Sequence, residues 1–253
     1  MNLEIKNLSC VVNKKEVLHN FNLNIKAGEI HALMGPNGTG KSTITKVILR
    51  DQTYKVTEGD IKIDDESILN LTTDEVAKKG VFLSFQNPTS IEGVKNSEFL
   101  KQALNERREE PISLYDFIKK LTKEEEELEL DKEMLHRSLN ENFSGGEKKK
   151  NEILQMKLLE PKLIILDELD SGLDVDSLKI VCKSINNYLK ENPKTSVLII
   201  SHYEKIYEYI KPKYVHIINN GTIVKEGDIS LAEEILEKGY KNYSSSINKI
   251  SEE

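Results

Sequence analysis

Two glycine-rich segments, each leading into helical periodicity, constrain this chain more than any other feature. The first, GPNGTGKST at residues 35–43, satisfies G-x-x-x-x-G-K-[ST] through Gly35, Gly40, Lys41 and Ser42. The apolar run 30–34 precedes it, and Ile44, Val47 and Ile48 share one face of the stretch that follows. The order is therefore strand, loop and helix, the context in which such a loop cradles phosphates. Gly35, Gly38 and Gly40 leave backbone N–H groups unobstructed, the helix start adds the positive end of its dipole, and Pro36, Asn37 and Thr39 complete the nucleotide-binding loop. Lys41 is expected to reach the β- and γ-phosphates, Ser42 to set its hydroxyl on the magnesium ion that bridges them, and Thr43 to add a further phosphate contact.

The apolar run 163–166 delivers Asp167 to the carboxyl end of a buried strand, where open α/β sheets bind ligands. Asp167 is the expected magnesium-associated carboxylate, and Glu168, at the mouth of the strand, can polarise an attacking water. The second glycine-rich segment comprises Ser144, Gly145, Gly146 and Glu147 and opens a helix with Ile153, Leu154 and Leu158 on its buried face. It is another anion site by the same physics, although taken alone it reads more simply as an ordinary helix N-cap. One nucleotide does not need two such sites, so either there are two ligands or one ligand is held between two chains.

A chain of 253 residues can bury a sizeable core as one large domain or as one domain carrying an insertion. The net charge of -7 argues against a nucleic-acid surface, which works by neutralising phosphates with clustered Lys and Arg. Apolar runs stop at four or five residues, far short of the roughly 20 a membrane span requires, so no direct membrane insertion is expected. The opening MNLEIKNL alternates like a strand and lacks the pattern of a secretory signal. Cys10 and Cys182 read as core residues of a protein from a reducing compartment, and this chain alone offers no ligand set for an iron–sulfur cluster.

Residues 1–25 alternate as antiparallel strands do, whereas 81–85, 163–166 and 197–200 are continuous apolar runs of a parallel sheet covered on both faces. The fold class is α/β, with a nucleotide-binding core expected over 1–87 and 161–229, a helical subdomain over 88–160 that lacks such strands, and a helix with a polar tail over 230–253. The acidic run 124–127 reads as a solvated helix face, Asn219, Asn220 and Gly221 as a hairpin turn, and Ser230 with Glu233 as a helix cap.

These motifs together resemble the ATP-binding-cassette (ABC) ATPases: GPNGTGKS as Walker A, Gln86 in FQNP as the Q-loop, FSGGEKK as the signature, LIILDE as Walker B, SGLD ending at Asp174 as the D-loop, and His202 as the switch histidine. The match runs in the family's order over nearly the whole chain. It implies a P-loop NTPase core with an antiparallel β subdomain and an inserted helical subdomain. It also implies a head-to-tail homodimer formed with ATP, each ATP held by one copy's P-loop and, in trans, by Ser144, Gly145, Gly146 and Glu147 of the other. In that picture Glu168 activates water, His202 contacts the γ-phosphate, Gln86 joins Ser42 and Asp167 at Mg2+, and Asp174 works across the interface.

Within the family, FSGGEKKKNEILQMKLLEPKLIILDELDSGLDVDSLKIV and SHYEKIYEYIKPKYVHIINNGTIVKEGD resemble the SUF ATPases of iron–sulfur cluster assembly, and Asp170 matches their pattern. Leu169, Ser201, Ser90 and Glu92 depart from it, and Val12 stands near the place of the adenine-stacking aromatic of many transporters. The resemblance implies SufB- and SufD-like scaffold subunits that hold the cluster, and closure of two ATP-bound copies that pulls on them. It also implies a lysine after the signature, with Lys149 the candidate, that restrains Glu168 at rest. The expected location is the cytoplasm, or a plastid stroma if a transit peptide has been removed. The alternative expectation is the nucleotide-binding subunit of an ABC membrane transporter, which shares every chemical motif.

Overall fold

The computed structural model describes residues 1–201 and 204–244, which form two compact units. The first unit comprises Met1–Leu83, Lys162–Glu168 and the chain from Lys194 onward. Its smaller sheet joins β1 (Leu3–Val12), β2 (Lys15–Ile25), β4 (Lys55–Ile63) and β5 (Glu66–Ser67) in the order β2-β1-β4-β5. The pairs Leu3↔Ile25 and Ile5↔Leu23 on one side, and Leu3↔Ile63 and Ile5↔Ile61 on the other, put the alternating apolar residues on one buried face. That face packs with Ile44, Val47 and Ile48 in the main core cluster.

The larger sheet has six strands in the order β12-β11-β3-β10-β9-β6. These are β3 (Ile30–Met34), β6 (Val81–Ser84), β9 (Leu163–Asp167), β10 (Ser196–Ile200), β11 (Tyr214–Asn219) and β12 (Thr222–Gly227). The parallel registers Val197↔Ile30, Leu198↔Ile165 and His216↔Leu33 fix the centre, and every residue of β9 and β10 is buried. Continuous apolar runs belong in such strands because helices cover both faces. Helices α1 (Lys41–Ile48), α2 (Thr73–Lys78), α7 (Glu204–Tyr209), α8 (Ile229–Lys238) and α9 (Lys241–Ser244) belong to this unit. The hairpin turn forms as expected, with Asn220 at φ 44° and Gly221 at φ 76°.

The second unit comprises Ser84–Pro161 and Leu169–Pro193. It holds α3 (Asn96–Asn105), α4 (Leu114–Leu128), α5 (Gly145–Leu159), α6 (Val175–Glu191) and a 3₁₀ turn at Lys132–Leu135. Residues 169–193, drawn with the core in the sequence reading, cluster here because α6 packs on α4 and α5, and Tyr188 donates to the Pro161 carbonyl at 2.8 Å. A short antiparallel ribbon, β7 (Ile91–Lys95) with β8 (Ser138–Leu139), also forms in the stretch read as strand-free. Its residues include Glu92, Gly93 and Lys95, which carry no strand signal.

The acidic run on α4 is not a solvated face. At about 3.6 residues per turn, four consecutive residues nearly circle the helix and cannot share one side. Glu124 and Glu125 are buried at 5% exposure each, and Lys157 of α5 ion-pairs with Glu124 and Glu127. The cap of α8 is also two residues earlier than expected: Asp228 Oδ1 accepts the Ser230 N–H at 3.0 Å. The polar tail from residue 245 lies outside the described residues.

Next to the strand that feeds the phosphate loop, a buried chain of polar groups links β3 to β11 and β12. His31 Nδ1 lies 2.8 Å from His216 Nε2, His216 Nδ1 lies 2.8 Å from Glu226, and His31 Nε2 lies 3.2 Å from Glu29. Two neutral imidazoles own two N–H groups for three contacts, so in any one tautomer one contact goes without a proton. Burial pulls His31 down from 6.5 to about 4 despite its hydrogen bond to Glu29. Between those values the unfolded chain binds a proton that the folded one does not, so stability falls as pH drops through the window. The urea midpoint is expected to decline more steeply over this range in the native protein than in His31→Gln, and parallel profiles would contradict the assignment.

Candidate active site

The loop between β3 and α1 takes its shape from close backbone approaches. A Cβ at Gly35 would stand 2.3 Å from the Ile218 carbonyl, so only glycine fits beside β11. The Gly221 N–H donates to the Thr39 carbonyl at 2.9 Å, and the Thr39 hydroxyl donates to the Pro36 carbonyl at 2.9 Å. The hairpin thus braces the loop from outside. Tyr240 adds a second brace: its phenol engages the Gly35 backbone, and burial pushes its pKa up. Sequence reasoning missed both braces, because neither the hairpin nor the tail carries a phosphate-binding signal.

Lys41 is 5% exposed, and its ammonium donates to the carbonyls of Gly35 at 2.7 Å and Pro36 at 2.8 Å. Burial lowers its pKa to about 8, while Glu168 and Asp167 push it back up. The two carboxylates are there because β9 ends with them beside the loop. Asp167 is 8% exposed, and its Oδ2 accepts the Thr45 hydroxyl at 3.4 Å. The single Thr45 proton is shared with the Ser42 carbonyl at 2.9 Å, and the longer contact to Asp167 links α1 to β9. Glu168 sits at φ 49°, a left-handed conformation costly for a residue with a Cβ, and its N–H is held by the Ile200 carbonyl at 2.8 Å.

Magnesium fits this donor set. Asp167 offers a carboxylate and Ser42 a hydroxyl, hard oxygen donors of the kind that hold Mg2+ together with substrate phosphate rather than in an all-protein cage. Accordingly, among the described residues no cluster of three or more His, Cys, Asp and Glu side chains is placed to hold a metal.

In the second unit the SGGE segment forms a capping box. The Ser144 hydroxyl accepts the Glu147 N–H at 3.2 Å and the Glu147 carboxylate accepts the Ser144 N–H at 2.7 Å. The plain N-cap reading therefore holds, and the N–H groups of Gly145 and Gly146 have no intrahelical acceptor. They border a cleft of about 430 Å³ lined also by Lys150, Gly172, Asp174 and Ser177. A Cβ at Gly145 would stand 2.9 Å from the Gly172 carbonyl, which fixes the signature against the D-loop. Asp174 caps α6, and the Ser177 N–H at 2.8 Å lowers its pKa first among several donors. Gln86 is exposed on the loop after β6. His202 lies outside the described residues.

Residues 18–171 match the family model described as ABC transporter. The chain belongs to the ABC transporter ATPase family. It is 50% identical to Vegetative protein 296 of Bacillus subtilis over 94% of this chain and 91% of that protein. It is 46% identical to the probable ATP-dependent transporter ycf16 of Trieres chinensis, covering 94% of this chain and 96% of the other. Among solved structures, the ATP binding subunit of an ABC transporter superposes with a TM-score of 0.78 at 25% identity, over 94% of this chain and 95% of that one. The dimeric ATP-binding cassette MJ0796 bound to ADP and Pi does so at 0.77 and 23% identity, over 90% and 98%, which supports the fold. The P-loop NTPase architecture read from the motifs is therefore the observed one, and the chain is an ABC-type ATPase.

Lys41→Ala is expected to abolish nucleotide binding or hydrolysis, because bound phosphates would lose the charge of its ammonium. Titration with a fluorescent ATP analogue together with a phosphate-release assay checks this. Tight binding with full turnover would contradict the loop assignment.

Proposed function

We propose that this ATPase is of the SufC type and drives a SufB–SufD-like scaffold during iron–sulfur cluster assembly. The observation that carries the proposal is the residue pattern around the two carboxylate-bearing motifs: EKKKNEILQM after the signature serine and glycines, and Asp170 two residues after Glu168. The buried free thiols agree with a division of labour in which the scaffold holds the cluster, since burial raises Cys10 to about 11 and Cys182 to about 12 and makes both poor thiolate ligands. No helix among the described residues is long and apolar enough to cross a membrane, and the proposed setting is the cytoplasm.

In the proposed cycle, the N–H groups of residues 35–43 bind the triphosphate while Lys41 neutralises its β- and γ-oxygens. Ser42, Asp167 and Gln86 hold the magnesium ion, which when bound offsets charge on the bridging phosphate oxygens. Ser144, Gly145 and Gly146 of a second copy lid the same nucleotide, so that binding closes a head-to-tail pair and Asp174 acts across it. Glu168 accepts a proton from the attacking water, and His202 contacts the γ-phosphate. Closure pulls the attached scaffold, and hydrolysis releases it.

Glu168→Gln is expected to keep ATP binding, to lower turnover by roughly 10²- to 10⁴-fold, and to accumulate an ATP-bound dimer on gel filtration. Unchanged turnover would remove Glu168 from this role. A second reading, the nucleotide-binding subunit of a membrane transporter, is favoured by the transporter names of relatives such as ycf16. Affinity purification from native cells separates the two: soluble SufB- and SufD-like subunits are expected, and recovery only with detergent-extracted membrane subunits would overturn the SUF assignment.

A further inference from the structure

The Q-loop is gripped at both ends by side chains of the signature helix. At its start, the Phe85 N–H donates to Glu152 Oε1 at 2.8 Å, the Phe85 carbonyl accepts from the Lys149 ammonium, and the Ser84 hydroxyl donates to Glu152 Oε2 at 2.9 Å. Lys149 and Glu152 pair at 3.3 Å, and both are nearly fully buried, at 2% and 3% exposure. Both polar groups of one residue's backbone are thus taken by two side chains one helical turn apart on α5. At the far end, Asn140 Nδ2 donates to the Thr89 carbonyl at 2.9 Å and the Ser90 hydroxyl donates to the Asn140 carbonyl at 2.8 Å. Asn151 of α5 donates to Asn140 Oδ1 at 3.0 Å, and Asn96 donates to Asn151 Oδ1 at 2.8 Å. Gln86, Asn87 and Pro88 span the gap between the two grips.

Apolar burial contributes little at the start of this loop, because Phe85 is 47% exposed. The position of its backbone rests on the polar clamp. Burying a carboxylate and an ammonium carries a desolvation cost, and burial raises the Glu152 pKa against the pull of Lys149, the Phe85 N–H and Ser84. That cost has a purpose if the pair fixes the residue next to it, and Gln86 is that residue. The same helix begins at the Ser144 capping box. We propose that Glu152, seconded by Lys149, is a positioning residue for ATP hydrolysis: it fastens Gln86 to the signature helix, so that engagement of Ser144 and placement of Gln86 occur as one rigid event. The inference rests on the proposed role of Gln86 at the magnesium ion and the attacking water.

A double-mutant cycle tests it. Glu152→Ala is expected to lower kcat about 10- to 100-fold with KM for ATP nearly unchanged, the scale of a misplaced catalytic group. Gln86→Ala should lower kcat as well, and the double variant should be no slower than the slower single one. Losses that multiply would mean that Glu152 acts elsewhere and would overturn the proposal. Glu152→Gln, which keeps the shape and one acceptor for the Phe85 N–H, should give an intermediate kcat and guards against a folding defect in the alanine variant. A Glu152→Gln rate at or below that of Glu152→Ala would count against the clamp. Amide hydrogen exchange reads the clamp without catalysis: exchange at Phe85 should accelerate in Glu152→Ala, and unchanged protection would overturn it. Full turnover in Gln86→Ala would instead fall on the role of Gln86, and the exchange result keeps these two failures apart.

Discussion

A buried ammonium beside two carboxylates at the carboxyl edge of a parallel sheet organises this molecule. Burial lowers the Lys41 pKa to about 8 against the pull of Glu168 and Asp167, which lie near it because β9 and β3 both flank β10 in register. The continuous apolar runs of these strands make that register possible. The loop carbonyls, the hairpin carrying Gly221 and the phenol of Tyr240 then hold the backbone around the ammonium. In the proposed function the loop N–H groups, the α1 terminus and Lys41 are the partners of the polyphosphate.

The helical unit is built on a different principle. Its interior carries charges and amides, including Lys149, Asn151, Glu152, Lys157, Glu124 and Asn96, each held by partners from a neighbouring segment. These hydrogen bonds and ion pairs cross between segments and add directional constraints to the apolar packing of Leu100, Phe117, Leu121, Ile153 and Leu158. In the proposed function this unit presents Ser144 and the Q-loop together.

The sequence made the nucleotide site legible because its motifs are local. A strand, a glycine loop and a helix start lie within twenty residues, and Asp167 and Glu168 follow their own apolar run. The capping box at Ser144 was readable for the same reason. Contacts between distant segments were not. Neither Thr45 nor Glu152 carries a motif: Thr45 meets Asp167 only once β9 is in place, and Glu152 meets Phe85 from a position 67 residues earlier. The acidic run on α4 misled because charge composition says nothing of a lysine on another helix. Residues 169–193 were assigned by chain order, whereas packing against α4 and α5 decides where α6 belongs.

The central claim is that one triphosphate is shared between the phosphate loop of one copy and the signature of another. Mixing two inactive variants tests it most directly: Lys41→Ala, which keeps a working signature, and Ser144→Arg, which keeps a working loop. If the site is composite, heterodimers contain one intact site, and phosphate release should reappear on mixing at ATP concentrations where neither variant alone is active. A mixture that stays as silent as its components, although the two variants associate, would contradict the account.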